Sequence, residues 1–380
     1  MKIVIAPDSF KESLTAAQAA AAIRRGFAQV WPQADYVCVP MADGGEGTAA
    51  ALVAACGGQW AEATVDDPLG RSVNARYGVL PDGSAVMEMA EASGLHLLAP
   101  SERNPLYTSS YGTGQLLAAA LARGARQIIL GIGGSATNDG GAGMAQALGI
   151  RLLDAQGQDL PRGGGALAQL ARIDTSGSLP ALAAAHIRVA CDVTNPLTGT
   201  HGASAVFGPQ KGATPAMVAQ LDAALSHFAD VLATAGLPDV RQQAGSGAAG
   251  GLGFGLRAFL GAELQPGIEH IIAATALPDK IAGADLVITG EGRMDGQTAF
   301  GKVPLGVLRA AQQHGVPVIA LAGSVGSDVH TLYAHGFSAI FPTVAAAAPL
   351  AEVLAAAEAN LERTARQVAA VWQLGQNRRR

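Results

Sequence analysis

The sequence predicts an α/β protein of two domains: a flavodoxin-like parallel-sheet domain built from both termini, and an inserted second α/β domain with a mixed sheet. Three observations carry this. Hydrophobic residues make up 49% of the 380 positions but aromatics only 4%, so the core is aliphatic, and 49 glycines mark frequent tight turns. That is the texture of short strands alternating with helices. Five short apolar runs, two near the start and three near the end, suit one open parallel sheet, and the first two end at acid-bearing stretches, the edge where such sheets bind ligands. Between them lies a hairpin signal, foreign to a purely parallel sheet.

In order along the chain, Ile3 to Ala6 is the first strand, ending at Pro7-Asp8-Ser9-Phe10-Lys11. Thr15 with Gln18 three residues later makes a capping box before an alanine-rich helix running through Ile23 and Phe27 towards Trp31-Pro32. Tyr36 to Pro40 is the second strand, ending at Met41-Ala42-Asp43-Gly44-Gly45-Glu46-Gly47, and Thr48 to Ala55 is a helix. Strands follow at Ala61 to Val65, Ala75 to Leu80 and Ala85 to Met89, the last two joined through Pro81-Asp82-Gly83 as a hairpin. The change of texture sets a boundary near Asp66-Asp67-Pro68-Leu69-Gly70, giving residues 1–65 plus 285–380 to the flavodoxin-like domain and 66–284 to the insertion, with the active site expected in the cleft between them. A hydroxyl-rich loop from Asn104 to Gly114 precedes the helix Gln115 to Ala122. Ile128 to Leu130 is a strand, followed by the glycine-rich stretch Gly131 to Gly143 and a helix at Met144 to Leu148. Ile187 to Ala190 is a strand running into Cys191-Asp192-Val193-Thr194-Asn195-Pro196-Leu197, and a second glycine-rich loop spans Gly245 to Gly253. From Ala284 the alternation returns, with strands at Leu286 to Thr289, Val318 to Leu321 and Ala339 to Phe341 and helices at Leu305 to His314, Val329 to His335 and Leu350 to Trp372.

Composition narrows the function. A net charge of −5 with only 14% charged residues supplies no basic footprint for nucleic acid. The three cysteines, Cys38, Cys56 and Cys191, have no paired spacing and read as reduced residues of a cytoplasmic protein; the eight histidines show no zinc spacing. Met1-Lys2 leads straight into a strand, not a signal peptide, and no run of about eighteen apolar residues suggests a membrane span. Only five lysines occur, Lys2, Lys11, Lys211, Lys280 and Lys302, which makes each worth inspecting.

Strand, glycine-rich turn and helix at Gly131 to Leu148 is anion-binding architecture: glycines let the backbone approach a ligand, and the helix start offers free N–H groups. Ser135, Thr137 and Asp139 add two hydroxyls and a carboxylate. Gly296 to Lys302 matches G-x-x-x-x-G-K but has Val303 where a Walker loop needs Ser or Thr for magnesium; its N–H groups and Lys302 still suit a phosphate. Gly131-x-Gly133-x-x-Ala136 also fits a loose dinucleotide fingerprint, yet Asp154-Ala155-Gln156-Gly157, where the ribose acid belongs, reads as a hairpin turn. The acids Asp8, Asp43, Asp139, Asp192, Glu291 and Asp295 all fall in loops after strands. One alone is most simply a cap or turn residue; six together suit magnesium and acid–base chemistry, the parts phosphoryl transfer needs.

Six blocks carry a family resemblance: Asp8-Ser9-Phe10-Lys11; Ala42 to Gly47; Asp67-Pro68-Leu69-Gly70; Gly133 to Gly141; Asp192 to Leu197; and Thr289-Gly290-Glu291-Gly292 with Asp295 and Gln297. In identity and order they closely resemble the bacterial type-1 glycerate kinases, over nearly the whole chain. The resemblance implies phosphorylation of D-glycerate by ATP with Mg2+, giving 2-phosphoglycerate in most bacterial members. Within that reading Asp192 is the first candidate for the carboxylate near the attacking hydroxyl and Asp8 the second, with Lys11 on the phosphates. Gly133, Gly134, Ser135, Thr137, Gly290, Glu291 and Lys302 are assigned to the nucleotide. Ser9, Asp43, Asn195 and either Arg71 or Arg293 are assigned to glycerate, since a guanidinium pairs a carboxylate bidentately. Asp139 and Asp295 are assigned to the metal. Product 3-phosphoglycerate, a nicotinamide-dependent hydroxy-acid dehydrogenase and a non-catalytic sugar-acid binding protein stay open as alternatives, as does a homo-oligomer.

Overall fold

A computed structural model describes residues 1–45, 47–299 and 302–377. The chain divides into two units: residues 1–43, 50–57 and 268–380 form the first, and 44–49 with 58–267 the second.

The first unit holds a five-stranded parallel sheet of β1 (Lys2–Ile5), β2 (Asp35–Cys38), β11 (Leu286–Met294), β12 (Val318–Val325) and β13 (Ala339–Pro342). Its spatial order is β13-β12-β11-β1-β2. Numbered within the sheet this is 2-1-3-4-5, the flavodoxin-like order. Ile3, Val4 and Ile5 are fully buried, as a strand covered on both faces requires. The helix Ala16–Ala28 starts where the capping box places it: Gln18 N–H donates to Thr15 Oγ1 at 3.2 Å, and Thr15 N–H donates to Gln18 Oε1 at 2.9 Å. It packs on the last helix, Ala357–Asn377, so closely that a Cβ on Gly26 would lie 2.3 Å from Glu362 O. The periodic segment expected as one helix from Leu350 is two, Leu350–Ala355 and Ala357–Asn377.

The second unit holds a six-stranded mixed sheet of β3 (Gln59–Asp66), β4 (Ser72–Val79), β5 (Ala85–Glu88), β6 (Gln127–Gly131), β9 (His186–Ala190) and β10 (Glu263–Gln265). The order is β10-β9-β6-β5-β4-β3, with β3/β4 and β4/β5 antiparallel and the rest parallel. The expected hairpin is β4/β5. The sequence reading starts the inserted region at residue 66, but β3 pairs with β4 along its whole length and so belongs to the second unit's sheet. At the other end the first unit resumes at Ile268, whose side chain packs against Gly306: a Cβ there would lie 2.4 Å from Ile268 Cγ1. A two-stranded sheet of β7 (Arg151–Leu153) and β8 (Arg172–Asp174) stands beside the helix Pro215–Thr234. That helix begins at Thr214, whose Oγ1 accepts from Met217 N–H, with proline at its first position, and it buries Leu221, Leu225 and Phe228. Phe228 meets Phe254 edge-on, centroids 5.8 Å apart. Among the described residues no helix is long and apolar enough to cross a membrane.

Candidate active site

In the first unit β1 and β11 are neighbours where the strand order reverses, the place where open parallel sheets bind ligands. Their ends are laced together: Thr289 Oγ1 donates to Ala6 O at 2.8 Å, and Asp8 N–H donates to Gly290 O at 2.8 Å. On its other side β11 lies close to β12, since a Cβ on Gly290 would lie 2.0 Å from Leu321 O. Asp8 is buried and accepts from Ser9 N–H at 2.6 Å. Burial, with the negative charges of Asp43 and Glu291 behind it, overcomes that hydrogen bond and raises its pKa from 3.8 to about 7. Glu291, also buried, accepts from Thr298 Oγ1 at 2.7 Å and pairs with Lys302 Nζ at 3.4 Å. Burial holds its pKa above the usual range against both partners, and Asp43 adds to the rise. Lys11 is exposed at the edge of this group. Beyond it Arg293 pairs with Asp295 at 3.0 Å, and Asp295 also takes the N–H of Gln297. The donors are hard oxygens, the chemistry magnesium prefers, and a cluster in which Asp43 raises both Asp8 and Glu291 gathers the like charge that a divalent cation relieves. Among the described residues no three His, Cys, Asp or Glu side chains already stand in ligating geometry.

In the second unit the glycine-rich stretch follows β6. Gly133 and Gly134 are exposed, while Ser135, Thr137, Asn138 and Asp139 are buried. Asp139 is fully enclosed, and its carboxylate accepts from Ser110 N–H (2.8 Å), Ser110 Oγ (2.9 Å), Gly141 N–H (3.1 Å) and Gly143 N–H (3.2 Å). It ties the 104–114 loop to the turn. Thr108 Oγ1 adds a second tie, donating to Ala136 O at 2.9 Å. The second glycine-rich loop locks onto the first: Gly140 N–H donates to Gly250 O at 3.0 Å, and a Cβ on Gly250 would lie 1.9 Å from Thr137 O. Gly250 has φ +68°, so its lack of a side chain is required twice over. Under the turn lies Lys211, 1% exposed, its Nζ 2.7 Å from both Ser135 Oγ and Thr137 O. Burial lowers its pKa from 10.5 to about 7, against the nearby charge of Asp139. Asp192, past β9, accepts from Gly267 N–H at 3.0 Å and is exposed; Asn195 Nδ2 donates to His201 O at 2.8 Å.

The glycerate kinase family model matches residues 3–373. The chain belongs to the glycerate kinase family. It is 52% identical to the glycerate 2-kinase of Escherichia coli K12, covering 99% of both chains, and 54% identical to the glycerate kinase of Halalkalibacterium halodurans, covering 97% of both. It also matches the crystal structure of a Salmonella typhimurium LT2 chain provisionally designated glycerate kinase 2, at 54% identity and a TM-score of 0.92 over 99% of each chain.

In this family member the structure gathers Asp8, Ser9, Asp43, Glu291 and Lys302 at one sheet edge, and Gly133, Gly134, Ser135, Thr137 and Asp139 in one turn. Several residues singled out from the sequence already have partners within their own unit. Asp139, assigned to the metal from sequence, is fully buried and already surrounded by backbone and hydroxyl donors. Arg71 is held by Asp67 at 2.6 Å and by Glu102, from the Pro100–Glu102 turn, at 2.7 Å, so its fork is engaged by two acids. Lys302 faces Glu291, not an open loop. Part of the G-x-x-x-x-G-K match, Phe300-Gly301, and Glu46 of the second acidic block lie outside the described residues. Two cations escaped the sequence reading. Lys211 carried only one signal, the scarcity of lysine. Arg103 is half-buried, and its Nε is shielded without an acceptor among the described residues.

Proposed function

We propose that this chain transfers the terminal phosphoryl group of ATP to D-glycerate with Mg2+, giving 2-phosphoglycerate, in the cytoplasm. What carries the reading, beside family membership, is the burial of Asp8 among Asp43 and Glu291 at the β1/β11 edge. A carboxylate with a pKa near neutrality is matched to accepting a proton from an alcohol at physiological pH. Asp8 is therefore the base for the glycerate hydroxyl, ahead of Asp192, whose exposed carboxylate is engaged by Gly267 N–H. Ser9 holds Asp8 Oδ1 and so sets which oxygen faces the substrate. Asp43 and Glu291 are the donors that suit magnesium, which when bound with ATP neutralises the charge that develops on the phosphates. Lys11 in the first unit and, in the second, the Gly133, Gly134, Ser135 and Thr137 turn are groups that suit phosphate oxygens. Arg293 takes the glycerate carboxylate: its partner Asp295 is a surface pair worth little in water, whereas Arg71 is held by two acids.

The test is purified protein with ATP, Mg2+ and D-glycerate, the product resolved by 31P NMR. Stoichiometric ADP and 2-phosphoglycerate are expected. 3-Phosphoglycerate would overturn the assigned hydroxyl and keep the kinase. NADH formation without ATP, or glycerate binding without ADP release, would replace the kinase by the dehydrogenase or the binding protein.

A further inference from the structure

Lys211 ends the short turn Pro209–Lys211, ahead of the helix Pro215–Thr234. Buried lysines almost always face a carboxylate. This one does not: its two hydrogen-bond partners are a hydroxyl and a carbonyl, and Asp139 acts on it only through space. The placement is enforced from both sides. Gly212 has φ +90°, and a Cβ on it would lie 2.3 Å from Arg103 O, so the turn bearing Lys211 is pressed against the neighbouring loop. From the other side Asn138 Nδ2 donates to the buried Ser204 Oγ at 2.9 Å, tying the helix Ala203–Phe207 to the same glycine-rich turn. An apolar side chain of this length would fill the space without the desolvation cost of an amine. A fold that keeps the amine there has a use for it.

We propose that Lys211 is a positioning residue for phosphoryl transfer: by donating to Ser135 Oγ and Thr137 O it leaves the Ser135 hydroxyl proton pointing out of the turn, as a donor to a phosphate oxygen. The inference rests on the kinase reading above. A hydroxyl that accepts from an ammonium is a stronger donor on its other side, because hydrogen bonds in a chain polarise one another. Ser135 sits at the border between the enclosed Lys211 and the exposed Gly133 and Gly134, so its proton has one open direction. An arriving phosphate brings negative charge that favours the protonated lysine, and the burial that depresses its affinity for a proton is offset when the site fills.

The experiment measures ATP affinity by titration calorimetry for the full chain and its variants, with turnover of D-glycerate in parallel. Lys211→Met is expected to fold with a thermal midpoint no lower than that of wild type and to bind ATP about ten- to a hundredfold more weakly, the range for a lost charge-assisted hydrogen bond. Ser135→Ala, a smaller change safe for folding, should lose a similar factor, and the double variant should be no worse than the weaker single one. Ethylammonium, but not ethanol, should restore ATP binding to Lys211→Ala. ATP affinity within twofold of wild type in either single variant, losses that multiply in the double, or equal rescue by ethanol would each overturn the assignment. If wild type binds ATP but does not phosphorylate D-glycerate, the kinase reading fails alone, and the affinities still decide Lys211.

Discussion

The two units bring an acid and a base to the same pH from opposite directions. In the first, burial raises Asp8 to about 7, and its neighbours Asp43 and Glu291 push the same way. In the second, burial lowers Lys211 to about 7, and its neighbour Asp139 pushes back. One force, loss of water around a charge, acts in both. The difference lies in what surrounds the group. Around Asp8 the charges are alike, so the cluster is poised to take up a proton or a cation. Around Lys211 they are compensated and hydrogen-bonded, so the turn is poised to hold a shape. The first arrangement suits chemistry and the second suits positioning.

The sharpest way to break that comparison is at the base. Asp8→Asn removes the proton acceptor while keeping the shape and the Ser9 hydrogen bond, and turnover should fall about a thousandfold, within the usual range for general acid–base catalysis. Asp192→Asn, by contrast, should lose less than tenfold, since an amide oxygen still accepts from Gly267 N–H. Steady-state kinetics of the two variants decide it; the reverse ranking would move the base to β9 of the second unit.

The next effect is on stability. Asp139→Ala leaves the N–H groups of Ser110, Gly141 and Gly143 and the Ser110 hydroxyl without their acceptor in a fully buried site. Unpaired buried donors cost about 1–3 kcal/mol each, partly relieved by water entering the space, so a loss of about 3 kcal/mol is expected in urea unfolding. A loss below about 1 kcal/mol would mean that this carboxylate is not a structural tie and would return it to the candidates for metal.

Much of the first unit was legible because its signals are local. Asp8 and Glu291 stand at the ends of apolar runs, and Thr15 and Gln18 are three residues apart. The second unit's decisive contacts are not local. Lys211 meets Ser135 and Thr137 across more than seventy residues of chain, and nothing in its immediate sequence, Gly-Pro-Gln-Lys-Gly, distinguishes a buried lysine from a solvated one. Asp139 shows the same limit from the other side: an acid in a glycine-rich turn looks alike whether its oxygens face a metal or backbone N–H groups. The glycines at 245–253 read from sequence only as a second glycine-rich loop; that Gly250 lets one backbone lie on another is a contact with Thr137, far away along the chain. The helix Pro215–Thr234 went unread although Thr214-Pro215 is a good start signal, because its many alanines blur the boundary between apolar and polar faces.

The smallest step, read one pH unit at a time, and the most direct test of the opposition between Asp8 and Lys211, is the pH dependence of stability in metal-free buffer. Asp8 binds its proton more tightly folded than unfolded, so between about pH 4 and 7 the folded state holds the extra proton and stability falls as pH rises. Lys211 binds its proton less tightly folded, so between about pH 7 and 10.5 the unfolded state holds the extra proton and stability rises with pH. Each limb is worth no more than about 1.4 kcal/mol per pH unit crossed. Relative to wild type, Asp8→Asn should gain stability progressively from pH 4 to 7 and hold that gain above it. Lys211→Met should show its full gain below pH 7 and lose it as pH rises towards 10. Urea unfolding across this range reads both differences, and a variant whose difference from wild type is flat with pH would show that its group is not desolvated in the folded state.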